Sequence, residues 1–152
     1  AGSDWSSDVC SSDLKNTVEE RMGRRELREH IFRLLFRRDF FPEEEMKEQE
    51  ALYIEYLADP EQEEVDYIVQ KTEKIIAMIP ELDSMVNEHA VGWQTDRMGK
   101  VDLTFIRLAV YEMKFDEDIP VSVAINEAVE LAKRYGTENS PAFINGVLAK
   151  MI

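Results

Sequence analysis

From about residue 24 to the last residue, apolar positions recur every three or four residues, the period of an amphipathic helix, and nowhere do they alternate as a half-buried strand requires. Leu27, Ile31, Leu34 and Leu35 share one side of a first helix that we expect to run to about residue 38. Pro42 opens an acidic second segment whose apolar positions are Leu52, Ile54, Tyr56 and Leu57. Beyond a break at Pro60, Val65, Ile68, Val69, Ile75, Ile76 and Ile79 mark a longer third helix. Pro80 suits the first position of a short fourth helix carrying Leu82, Met85 and Val86. Residues 92–99 read as a connector. Val101, Phe105, Leu108 and Ala109 pattern a fifth helix, and Pro120 begins a sixth in which Ala124, Ala128 and Ala132 recur at intervals of four. Gly136 then stands where helices commonly end in a left-handed glycine. Ser140 reads as the N-cap of a seventh helix, with Pro141 at its first position. Asn145 and Gly146 lie inside a helical pattern and do not make a hairpin turn. The pattern predicts an all-α fold of about seven helices in two small bundles, divided near residues 90–100.

The first 14 residues, AGSDWSSDVCSSDL, have neither period; five serines and three aspartates recur in two near copies of Ser-Ser-Asp. We expect residues 1–21 to be a disordered, non-native leader, with Met22 as the native start and residues 22–152 as one helical domain. Trp5 and Cys10 therefore carry no functional weight. A chain of 152 residues has the length of a single domain. One cysteine excludes an internal disulfide. The longest aliphatic run, residues 75–79, is far short of the roughly 20 residues that span a bilayer. The cytoplasm is the expected location, without membrane association.

Charge sharpens the picture. The net charge is −14, which taken whole disfavours a polyanionic partner. Residues 15–38 reverse that locally, with eight basic side chains against four acidic ones. At 100° per residue, with Arg21 at zero, Arg24 falls at about 300°, Arg25 at about 40° and Arg28 at about 340°. Four guanidinium groups thus occupy one arc, and Phe32 and Phe36 continue it toward the helix C-terminus. Guanidinium forks bind phosphate bidentately, and an aromatic beside them stacks an unpaired base. The same arginines can instead pair with Glu19, Glu20, Glu26 and Glu29, and the same phenylalanines can be core. Positive charge in a first turn opposes the helix dipole, which favours a functional reason for it. No catalytic constellation appears. His30 and His89 lack metal-ligand spacing, no phosphate-binding glycine loop is present, and the runs at 43–45 and 61–64 read as solvated helix starts. No enzyme, metal or cofactor is expected.

These residues resemble the NusB family of transcription antitermination factors. The opening RRELRE at 24–29 leading to LLF at 34–36 is similar to the family's first helix, and VDLTFIRLAVYE at 101–112 to its fifth. Most specific are IPVSVAINEAVELAK at 119–133 and FINGVL at 143–148. The resemblance covers about residues 22–152. It implies two helical bundles and binding of single-stranded boxA RNA in nascent ribosomal RNA transcripts. It further implies partnership with NusE, a ribosomal small-subunit protein, and assembly with NusA, NusG and RNA polymerase. No reaction is implied. The family's arginine-rich motif falls on Arg24, Arg25 and Arg28, and Phe143 matches an aromatic at the RNA surface. Phe36 and Asp102 match the NusE-facing surface. Phe36 stands where many members have tyrosine, Glu26 interrupts the basic motif, and Asn139 occupies a position that is often aspartate. Two alternatives remain: the RNA-binding accessory domain of a ribosomal RNA methyltransferase, which shares the fold, and a purely protein-binding helical module.

Overall fold

The structure, a computed structural model, describes residues 22–152; the expected leader, with Trp5, Cys10 and Arg21, lies outside the described residues. Within them the helical period becomes seven α-helices, two short 3-10 turns and no strand. The helices are α1 (Arg24–Arg37), α2 (Met46–Tyr56), α3 (Gln62–Ala77), α4 (Ile79–His89), α5 (Lys100–Phe115), α6 (Val121–Tyr135) and α7 (Ser140–Ala149).

Helix α5 is the axis of the molecule. All of its residues from Leu103 to Glu112 are buried, because α1, α3 and α4 pack on one side while α6 and α7 pack on the other. The connector at residues 90–99 separates α1–α4 from α5–α7 along the chain, but α1, α3 and α4 pack onto α5 and one apolar core runs through both halves. On α6 the inward positions are Ala124, Ala128 and Ala132 with Leu131, small side chains that let the helix approach α5 and α7 closely. Ile144, Val147, Leu148 and Met151 close the core from the C-terminal end. At the other end, Glu64 ties α3 to the start of α1. Its Oε1 accepts the Glu61 backbone N–H at 3.0 Å, and its Oε2 accepts that of Met22 at 2.6 Å.

Several local expectations change. The buried stripe of α2 is Met46, Glu50 and Tyr53, whereas Leu52 and Tyr56 face outward at 50% and 86% exposure. The stripe does not show as an apolar pattern because one of its three members is a carboxylate. Pro80 and Pro120 each sit one step from the expected first position, as second residue of α4 and N-cap of α6. Ser140 does not cap α7. Asn139 holds that place, and the Ser140 hydroxyl accepts the Thr137 backbone N–H at 3.0 Å instead. Gly136 is not left-handed either; its φ is −95°. Glycine is required there by space, since a Cβ would lie 2.6 Å from both Cβ and Oγ of Ser140.

Candidate nucleic-acid interface

The arc of arginines on α1 does not stay at the surface. Arg25 is exposed, and it grips Glu127 of α6 side-on: Nε donates to Oε1 at 2.8 Å and Nη2 to Oε2 at 2.7 Å. That pair raises the guanidinium pKa further and holds the Glu127 carboxyl below its ordinary range. The Arg25 side chain remains 54% exposed, and a guanidinium has five N–H donors, more than this pair uses. Arg24, half-buried, lies beside it in the first turn.

Arg28 departs from the expectation of an exposed phosphate ligand, with only 2% of the residue accessible. Its Nε donates to Glu112 Oε2 at 3.1 Å, and Lys71 Nζ reaches the same oxygen at 2.7 Å. Glu127 stands 3.7 Å from Arg28, and Asp116 3.4 Å from Lys71. With Arg25 included, three cations meet three carboxylates. Burial disfavours the Lys71 ammonium, but Glu112 outweighs it and leaves the Lys71 pKa raised. The physical reason for Arg28's burial is its position along the helix. It lies one turn before Phe32, and Phe32 is core, stacked on Phe105 with ring centroids 4.2 Å apart. The arc that is solvent at Arg25 has become interior by Arg28.

Phe36 and Asp102 are both half-buried. Phe36 meets Phe40 edge-on at 5.0 Å; Lys100 Nζ lies 6.0 Å above the Phe40 ring, two residues from Asp102. Asp102 is in the first turn of α5, where its charge suits the helix dipole. Phe143, half-buried on α7, shares with Asp102 an open groove of about 430 Å³ between the connector and the start of α7. The structure thus brings Phe143 beside Asp102, while Arg25 is held on Glu127 at the middle of α6.

Sequence reasoning missed three participants. Glu112 and Glu127 fix the arginines, and the signal was a lone carboxylate inside an apolar run at 108–113 for the first. The third is Trp93. It is half exposed and lies 5.1 Å from Phe143 at an interplanar angle of 74°. Elsewhere, Arg134 pairs with Glu29, and Arg33 donates to the Tyr135 hydroxyl at 2.6 Å, joining α6 to α1. Arg107 joins α5 to Asp83 at 2.7 Å and to Asp39 at 3.5 Å. His30 approaches the Tyr53 hydroxyl at 2.6 Å, and burial, with Arg33 nearby, lowers its pKa. Among the described residues no His, Cys, Asp and Glu group has the arrangement of a metal site, and no helix is long and apolar enough to cross a membrane.

Comparison with known proteins gives a consistent result. The model of the NusB family matches residues 25–152. The chain is 53% identical over 129 residues to the transcription antitermination protein NusB of Agathobacter rectalis, covering 85% of this chain and 98% of that protein. It is 47% identical to the protein of the same name from Lachnoclostridium phytofermentans, over 86% and 99%. Among solved structures it is similar to T. maritima NusB, with a TM-score of 0.75 and 33% identity over 86% of this chain and 91% of that one. It is also similar to a chain in a crystal structure of the antitermination factors NusB and NusE in complex with dsRNA. There the TM-score is 0.69 and identity 27%, over 84% and 94%.

Proposed function

The chain belongs to the NusB family, and from that premise we propose that it is a transcription antitermination factor acting as an adaptor rather than a catalyst. It binds single-stranded boxA RNA of nascent ribosomal RNA transcripts together with NusE, and the pair joins NusA, NusG and RNA polymerase. The observation that carries this reading is the match to named antitermination proteins over nearly their whole length. The charge pattern agrees with it. One small basic face on a molecule of net charge −14 gives weak, salt-sensitive RNA affinity, while the acidic remainder repels indiscriminate nucleic acid and suits a basic ribosomal partner. Weak single contacts suffice inside a multiprotein assembly, where effective concentrations are high.

In this reading Arg24 and Arg25 engage RNA phosphates, with Glu127 holding the Arg25 fork in a fixed orientation. Phe143 meets a base. Arg28 acts as a positioning residue: through Glu112 it fixes the height of α1 against α5, and thereby where Arg24 and Arg25 stand. Phe36 and Asp102 form the NusE-facing surface; Phe36 offers an apolar contact without a tyrosine hydroxyl. The test is a salt series. Removing one phosphate-binding cation should flatten the slope of log affinity against log salt by about 0.7 for a single strand. Replacing Arg24 and Arg25 with Ala should therefore lower the slope by up to twice that amount. An unchanged slope and affinity in the folded double variant would contradict the assignment.

A further inference from the structure

Trp93 belongs neither to the phosphate-binding arginines nor to the NusE-facing pair, yet its setting is that of a recognition side chain. A large indole is left half in water on this connector, in a groove that also holds Arg97, and the connector is not loose. Gly92, at φ 93°, turns the chain out of α4, and the Trp93 backbone N–H donates to Ala90 O at 2.9 Å. The Thr95 backbone N–H is anchored on Asn87 Oδ1 at 2.8 Å, with Thr95 itself buried. The indole is thus presented by a fixed turn. Its ring stands nearly perpendicular to Phe143, so the two rings form a corner, not a stack. Polar and charged groups line the same groove: Arg97, Gln94 and Asn139, with the Asp102 carboxylate at the start of α5 also on its wall.

The groove also continues the basic face. From Arg25 on Glu127, α6 leads past Arg134 and Tyr135, both tied to α1, to Thr137, which borders the groove. A strand whose phosphates lie on Arg24 and Arg25 can follow α6 and arrive at the aromatic corner.

Building on the RNA-binding function above, we propose that Trp93 and Phe143 seat one unpaired nucleobase of the bound RNA, with Trp93 as its stacking platform and Arg97 beside the flanking phosphate. Aromatic stacking suits this task because every base has a π-face, and a base held in a duplex cannot enter the corner.

The experiment uses the full chain with Trp5 replaced by Phe, so that Trp93 is the one tryptophan. Single-stranded boxA RNA and the duplex of the same sequence are titrated with NusE present, reading RNA anisotropy and Trp93 fluorescence together. The expected result is quenching that saturates with the anisotropy for the single strand and is absent for the duplex. W93A should weaken single-strand binding about tenfold, within the range for loss of one stacked base, and leave the salt slope unchanged. W93F should retain most of the affinity, which separates a missing stack from a misfolded chain. RNA binding without quenching, and with W93A affinity unaltered, would overturn the seat while leaving the proposed function intact. Weakened NusE association with RNA affinity preserved would make the corner a protein contact and overturn it equally. No RNA binding by the parent protein at any salt would overturn both.

Discussion

Replacing Arg28 with Ala separates a buried strut from a phosphate ligand. In the native structure Glu112 is 1% exposed and lies between Arg28 and Lys71, at 3.1 and 2.7 Å from the two donors. Removing one partner of a buried ion pair costs about 3–5 kcal/mol, because a charge is left without compensation in the interior. Lys71 stays on Glu112, so R28A belongs at the low end, about 3 kcal/mol. E112A strands two cations, with Glu127 and Asp116 as the more distant acceptors, and belongs near the top, about 5 kcal/mol. The double variant should lose less than the sum, since the two side chains share one interaction. Urea unfolding followed by helical circular dichroism measures this. With a slope of about 2 kcal/mol per molar urea, R28A should lower the midpoint by about 1.5 M. The salt slope of RNA binding, taken where R28A is fully folded, should match the parent. An R28A protein as stable as the parent but with its slope reduced by about 0.7 would refute the reasoning and return Arg28 to the phosphate-binding set.

Three further outcomes follow from particular contacts. Burial, reinforced by neighbouring Glu73 and opposed by Lys47, pushes the Glu50 carboxyl up to about 7 from its ordinary 4.5. The native state then holds a proton that the unfolded chain has released, so this group's stabilising effect is complete below pH 4.5 and is lost as pH rises toward 7. Subtracting the stability profile of E50Q from that of the parent should isolate a decline across that window, and a flat difference would contradict it. G136A forces a methyl group against Ser140 and should destabilise the fold by about 1–3 kcal/mol in thermal unfolding, although its φ is ordinary; a stabilised variant would show that α6 and α7 are not packed as closely as described. D102R should weaken NusE association in a pull-down or calorimetric titration while leaving helical content intact, and unchanged affinity would remove Asp102 from that surface.

The fold was legible because its signals are local and repeated. The three-to-four spacing of α3, α5 and α6 survives every change of partner, and prolines sit within one residue of the helix starts they suggested. What failed to show were positions decided by tertiary neighbours. Met46, Glu50 and Tyr53 form a buried stripe because α1 packs on α2, with the end of α3 beside Met46 and Glu50, and a sequence pattern counts Glu50 as solvent. The helical wheel placed Arg28 with Arg24 and Arg25 correctly, but a wheel has no axis along which one end enters the core. Arg25 and Arg28 both lie near Phe32 on the wheel, and only the stacking of Phe32 on Phe105 shows which of the two enters the interior. Trp93 was illegible for a different reason, since its meaning comes from Phe143, 50 residues away in sequence and 5.1 Å away in space.

Whether this chain reads boxA RNA jointly with NusE is decided by fluorescence anisotropy. Labelled boxA RNA and a scrambled control are titrated with the protein, with and without NusE, across a range of salt. Joint reading requires preferential boxA binding that tightens when NusE is added and weakens steeply with salt. Equal, weak binding to both RNAs, unaffected by NusE, would contradict it and leave α1 with nothing more than a generic basic patch.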